Sequence, residues 1–573
     1  MNRLKLLTIT VVVVAFAVSA AGIIQAKSSP STPLETNFVK PKKAEPITAK
    51  ALQYLEKKAS ENDGTVKIWA FFTDKGIKSE REFNSIAASV SERLTDRAIK
   101  RRAKVDRNQV ELIDVPVSGS YVESIEALGA RLRKTSRYLN AASFEIPINM
   151  IEQVTELPFV REVRPMIGYK KDYAVEVDVK ETESKQGLDT DVYDYGYSYD
   201  QLDQINVITA HNEGYYGTGV LVAMFDSGFR TDHQVFTLIN FTGRLIAEHD
   251  FIFDDDDVDN EPEDISSAWT HGTYTWSTLG GQWTENLYGP AFGADFILAK
   301  TEDVRSETEV EEDNWVAAVE WADSIGADVI SSSLGYSDWY TTSDYDGNTC
   351  VTTIAADLAA SMGIVVCNSA GNNGCCTTTI NAPADADSIL AIGAVYSSGS
   401  IASFSSRGPS YDGRIKPEVC AQGVSTRCAS ASGEDYLTYA NGTSLSCPLA
   451  GGVAALVIEA NPEWTPMQVR EAIMMTADNA DDPDNTYGWG IIDAWAAMNY
   501  SFEIEYIVGD VDDSDFIDID DVVYLIQYLY AGGPEPQPVV EAGEIDGLGE
   551  IDVDDVVYLI QYLFAGGPAP VTG

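Results

Sequence analysis

"GVLVAMFDSG", Gly219 to Gly228, is the stretch on which the fold turns. Six apolar residues, 220–225, run without a polar interruption and end on Asp226. A strand with one wet face would alternate, so a continuous run reads as a strand buried on both faces. The same shape returns in "FILAK" (296–300), "DVISSSLG" (328–335), "GIVVCNSAG" (363–371) and "ILAIGAV" (389–395). Helical patterns at Asn314 to Ser324 and Leu449 to Glu459 lie between and after these runs. Buried strands ending in Asp, Ser or Gly and separated by helices predict a parallel α/β sheet over residues 202–500. Its ligands should bind at the strands' C-terminal ends.

Asp226 falls at such an end, where desolvation keeps a carboxylate's field strong. Of the four histidines, at 211, 233, 249 and 271, only His271 has a suggestive context, "THGTYTWSTLGG". The small-residue stretch after it predicts a buried helix that starts at the imidazole. "GTSLSCP" (442–448) offers two serines and a cysteine ahead of another helix. Ser444 is the expected nucleophile: a helix start leaves backbone N–H groups free for an oxyanion, and Pro448 is tolerated in a first turn. Ser446 and Cys447 are rotated away at about 100° per residue. "NSAGNNG" (368–374) offers Asn372 as a second oxyanion donor. The acidic run "DDDDVDNEPED" (254–264) reads as a solvated loop.

In the order Asp, His, Asn, Ser, these motifs resemble the subtilisin-like (S8) serine peptidases, across about residues 205–498. "SLG" (Ser333, Leu334, Gly335), "SFSSRGP" (403–409) and "KPEVCAQG" (416–423) fit the same resemblance. It implies a three-layer α/β fold and a serine endopeptidase needing no cofactor for catalysis. Asp226 would orient His271, His271 would deprotonate Ser444, and Asn372 with the Ser444 N–H would hold the oxyanion. Ser333, Leu334 and Gly335 would form an edge strand for peptide or protein substrates. The resemblance leaves room for a structural Ca2+ in this domain. Two alternatives stand beside it: a catalytically silent subtilisin-fold surface binding module, and a sedolisin-type peptidase, against which His271 and Asn372 argue.

The flanks carry their own signals. Arg3 and Lys5 precede an uncharged run, so residues 1–26 read as a signal peptide and the protein as secreted, with no membrane span after cleavage. Residues 27–60 read as a linker, 61–168 as a small α+β domain and 169–201 as an acidic connector holding a maturation site. In the second of these, "VKIWAFF" (66–72), "NAASFEIP" (140–147) and "VREVRPM" (160–166) are predicted strands, and Ser85 to Lys104 and 150–157 predicted helices. The domain resembles an inhibitor-I9-type propeptide, which implies a self-processing zymogen. From Lys42 to Arg137 there are 20 Lys or Arg against 14 Asp or Glu, and from Lys171 onward 12 against 70. Phosphate contacts need cations, so nucleic acid is excluded as a partner of the acidic part. The asymmetry raises an electrostatic docking of the front on the body, although "RAIKRRAK" (97–104) by itself reads as a solvated helix face. The seven cysteines, an odd count, leave at least one thiol outside any intrachain pairing.

"DVVYLIQYLYAGGP" (521–534) returns as "DVVYLIQYLFAGGP" (555–568), each copy after an acidic loop. The repeats, within 505–570, resemble a type I dockerin, a small α-helical, EF-hand-like calcium module. Asp510, Asp512, Ser514, Phe516 (through its carbonyl), Asp518 and Asp521 hold ligand positions of the first loop. Glu544, Asp546, Glu550, Asp552 and Asp555 do so in the second, where Leu548 cannot ligate through its side chain. A cohesin-like partner or attachment to the cell surface would follow from that resemblance.

Overall fold

The computed structural model describes residues 47–570 other than 167–174, 177–189, 306–311, 338, 375, 503–506, 515, 548 and 550. The expected signal peptide, most of the connector and Glu550 lie outside the described residues. Two compact units divide the described chain after Tyr500.

In the first unit, strands β1 (Thr65–Phe72), β2 (Arg131–Ser136), β3 (Ala141–Pro147) and β4 (Val160–Pro165) form an antiparallel sheet in the order β2-β3-β1-β4. β1 lacks polar alternation because both its faces are covered. Val66, Ile68, Ala70 and Phe72 pack in this domain's own core with Leu55, Phe144 and Val154. Trp69 and Phe71 join a different core, with Trp315, Val319 and Ala355. Two expectations need correction. A helix, Ala49–Glu61, occupies the end of the predicted linker, capped by Thr48 and buried through Leu55 and Ala59. The single helix expected from Ser85 to Lys104 is two, Glu80–Ser91 and Asp96–Ala103, because Thr95 accepts from the Ala98 N–H and caps a new start.

After β5 (Val175–Glu176) come β6 (Leu221–Asp226), β7 (Leu245–Asp250), the small hairpin β8 (Gln282–Trp283) and β9 (Leu287–Tyr288), and β10 (Asp295–Lys300). β11 (Val329–Ser332), β12 (Val365–Ser369), β13 (Leu390–Val395) and β14 (Val419–Gln422) follow. Seven of these make one sheet, β14-β13-β12-β11-β6-β10-β7, parallel throughout as predicted. β7 and β14 escaped the sequence reading: β7 is a half-exposed edge strand and β14 only four residues long. Alternate residues of β6 feed two cores. Val222 and Met224 meet helix Thr443–Ala460, while Leu221, Ala223 and Phe225 meet helices Glu312–Ile325 and Val351–Ser361. β6 lies where the chain passes from one side of the sheet to the other, so its C-terminal end opens a crevice. A hairpin, β15 (Thr426–Ala429) and β16 (Leu437–Asn441), leads into helix Thr443–Ala460, and β5 pairs antiparallel with β16. That helix, the one among the described residues long and apolar enough to span a membrane, is buried.

The second unit holds helices Ile519–Ala531 and Val553–Ala565, built alike. Asp518 with Asp521, and Asp552 with Asp555, form capping boxes, and Gly532 and Gly566 end the helices at φ 67°. Val511, Val522, Leu525, Ile545, Val556 and Leu559 make its core.

Candidate active site

Asp226 ends β6 with no exposed surface. Its Oδ1 accepts from His271 Nδ1 at 2.7 Å and from the Ser227 N–H at 2.8 Å. Its Oδ2 accepts from Thr275 Oγ1 at 2.9 Å. A carboxylate on Nδ1 fixes the tautomer, so Nε2 presents a lone pair. Nε2 is buried and makes no hydrogen bond among the described residues. His271 is the second residue of helix Thr270–Gly280, and Gly272 lets that helix close on β6: a Cβ there would sit 2.1 Å from the Gly228 carbonyl oxygen.

Ser444 is buried in the first turn of helix Thr443–Ala460, which Gly442 enters at φ 150°. Leu445 packs with Tyr274, three residues beyond His271, so the two helix starts face one another. Pro448 lies deeper than the expected first turn. Having no N–H, it leaves the Ser444 carbonyl without its helical partner, and Ser333 Oγ donates to that oxygen at 3.0 Å. Ser446 Oγ donates to the Thr443 carbonyl at 3.0 Å, and Cys447 Sγ to the Ser332 carbonyl at 3.4 Å. Burial pushes the Cys447 thiol up to about 12, which withholds the reactive thiolate. Ser446 and Cys447 are committed to these carbonyls, which leaves Ser444 as the candidate nucleophile.

Asn372 Oδ1 accepts from the Thr443 N–H at 2.9 Å and from Thr443 Oγ1 at 3.0 Å. A backbone N–H can only donate, so the amide oxygen faces Thr443 and the amide NH2 is turned from it. Ser333, Leu334 and Gly335, expected to pair with substrate, follow the sheet strand rather than extend it. β11 stops at Ser332, Leu334 is buried, and Asn368 Nδ2 takes the Leu334 carbonyl at 3.0 Å.

The Subtilase family profile covers residues 217–490. Subtilisin E of Bacillus subtilis is 32% identical over 376 residues, 65% of this chain and 84% of that protein. Serine protease AprX of the same organism is 29% identical over 306 residues, covering 48% of this chain and 66% of that protein. The chain belongs to the subtilase family of serine peptidases. A profile for the peptidase S8 propeptide domain of Bacteroidota covers residues 67–186, so this subtilase carries a propeptide. Fervidolysin from Fervidobacterium pennivorans shares the fold at TM-score 0.55 and 22% identity, over 78% of this chain and 64% of that one.

The other histidines of the subtilase are structural. His211 stacks on Tyr195, accepts from its hydroxyl at 3.0 Å and donates through Nε2 to the Pro290 carbonyl at 2.8 Å. Burial lowers it to about 4. His233 Nε2 meets the Tyr436 carbonyl, and His249 lies beside Asp254 and Asp256. The run 254–264 is not simply solvated. Lys300 Nζ lies 2.7 Å from both Asp250 and Asp264 and 3.8 Å from Glu261, and Asp259 accepts twice from Thr231. Among the described residues, Cys350, Cys367, Cys420 and Cys447 are free thiols, all of them buried.

Thr275 and Ser227, which hold the Asp226 carboxylate, were not anticipated. Thr275 was legible, because four residues beyond His271 on a helix is the same face. In the second unit, carboxylate oxygens of Asp510, Asp512 and Asp521 lie within 4.8 Å of one another, as do those of Glu544, Asp546 and Asp555. Ser514 Oγ instead donates to the Phe516 carbonyl at 3.1 Å, and Asp518 and Asp552 serve as helix caps.

Proposed function

We propose that the protein is a secreted endopeptidase, made as a self-processing zymogen, that cleaves peptide bonds through an acyl-enzyme on Ser444. The reading is carried by the His271 Nδ1–Asp226 contact of 2.7 Å, with Nε2 left without a partner among the described residues. Ser444 Oγ attacks the substrate carbonyl while its proton passes to His271 Nε2. Asp226 steadies the imidazolium, and the Asn372 amide and Ser444 N–H hold the oxyanion. Collapse expels the amine, which takes the proton from Nε2. Water, deprotonated by the same nitrogen, then releases the acid and restores Ser444. Maturation within 169–201 is supported by β5, whose Val175 pairs with Asn441, three residues before Ser444. A fluorophosphonate probe should label the processed protein and fail on Ser444→Ala, which should also stay unprocessed when purified. Absence of label on processed wild type would favour the silent binding module, which the full Asp226, His271, Asn372 and Ser444 set disfavours.

The repeat unit is proposed as a dockerin-like pair of calcium loops. Calcium is a hard cation that takes carboxylate and carbonyl oxygens. The fit rests on Asp512 Oδ1, buried with no hydrogen-bond partner among the described residues, and on Asp521, whose carboxyl is pushed up by burial and by Asp512 and Asp510 beside it. Asp510, Asp512 and Asp521 would hold the first ion, and Glu544, Asp546 and Asp555 a second. Bound calcium would supply the charge that lets each loop stay folded.

A further inference from the structure

The expectation that "RAIKRRAK" is a solvated face is wrong, and the correction opens a site. Arg101 and Arg102 are 1% and 2% exposed. Both reach Asp323, a fully buried residue of helix Glu312–Ile325. Arg137, at the end of the propeptide's β2, donates to the same carboxylate at 2.6 Å. Arg102 also donates to Asp114 at 2.8 Å, within the propeptide.

The guanidinium groups read backbone as well as charge. Arg101 donates to the Asp323 carbonyl at 3.3 Å, to Ala327 at 2.8 Å and to Met362 at 3.1 Å. Arg137 donates to the Glu320 carbonyl at 3.1 Å, Thr95 Oγ1 to Ile325 at 2.6 Å and Arg107 to Ser361 at 2.8 Å. These carbonyls belong to the last turns, or just beyond, of helices Glu312–Ile325 and Val351–Ser361. A helix C-terminus has unpaired carbonyls and the negative end of its dipole, which favour cations. Neither peptidase helix has a basic residue of its own in its last turn. The propeptide supplies the missing cations.

We propose that Asp323 and the C-terminal carbonyls of these two helices form a guanidinium-binding site. Its occupants are propeptide Arg101, Arg102 and Arg137, and it makes retention of the cleaved propeptide depend on arginine. The inference rests on the zymogen reading. A point charge would not replace the fork: Arg101 spans one carboxylate and three carbonyls at fixed angles, which an ammonium cannot do. Buried pairs are also screened far less than surface ones. Lys50–Asp344, an exposed ion pair across the same boundary, provides the contrast.

The test uses the full chain, followed by gel for the cut and by size-exclusion for co-elution of the cleaved propeptide. Arg101→Lys with Arg102→Lys, and separately Asp323→Asn, should release the fragment at least about tenfold faster than wild type, with Lys50→Ala within about twofold. Release unchanged in both clamp variants would overturn the proposal. If wild type is never cut, the zymogen reading fails instead. Melting of the same variants in a Ser444→Ala background reports whether they fold. A readout free of variants covers the case in which they do not: free arginine should lower the retained fraction of wild-type propeptide more than lysine at equal ionic strength. Equal effects of the two amino acids would likewise overturn the site.

Discussion

At the scale of single residues, the candidate catalytic group is held by neighbours that carry no chemistry in the proposed reaction. Thr275 and Ser227 fix the Asp226 carboxylate, Thr443 fixes the Asn372 amide, and Ser333 holds the Ser444 carbonyl that Pro448 leaves open. Asn372→Leu should lower kcat by about 10²–10³ with KM little changed, as loss of one oxyanion donor does; steady-state kinetics on a chromogenic peptide would check it. Ser333→Ala should destabilise the fold by about 1–3 kcal/mol, because it orphans a buried carbonyl, measured by denaturant unfolding in a Ser444→Ala background. Asp226, His271, Asn372 and Ser444 were legible from their local motifs. Of their supporting bonds, that of Thr275 was legible from helical spacing, whereas Ser333 holds Ser444 across 111 positions that no local pattern links.

Elements add constraints that no motif displays. Lys300, the last residue of β10, is buried between Asp250 and Asp264 and ties the acidic loop to the sheet. Lys300→Met should cost about 3–5 kcal/mol, since it strands buried carboxylates without a counter-charge, and a drop in melting temperature would register it. His211, in helix Val207–Asn212, lies under Pro290 and Tyr195. Its folded value of about 4 lies below the ordinary 6.5. Between these values the unfolded chain binds a proton that the folded chain refuses. Stability is therefore full above about 6.5 and falls as pH drops toward 4, by up to about 3 kcal/mol. In His211→Gln the melting temperature should depend less steeply on pH across that window; an unchanged slope would remove His211 as its source.

Across the whole molecule, charge is divided by segment. The basic propeptide meets the acidic peptidase through the buried carboxylates Glu312, Asp313, Glu320 and Asp323, which reach Trp69, Arg133, Ser136 and the clamp arginines. The repeat unit concentrates acid around its two loops. Chelation should lower the melting temperature of that unit by several degrees while leaving hydrolysis of a small peptide by the processed enzyme unchanged. Asp512→Asn should reproduce part of the shift in calorimetry, and a chelator-insensitive transition would rule out the calcium loops.

The sequence by itself determined the parallel sheet, the order of the candidate catalytic residues and the twin helices, because each is written in local periodicity or in a contiguous motif. Tertiary structure decided what long-range contact controls. It turned a basic run from solvated face to buried clamp and tied an acidic loop around Lys300. Burial and pairing of charge depend on which distant surface folds against them, and one chain segment carries no record of its partner.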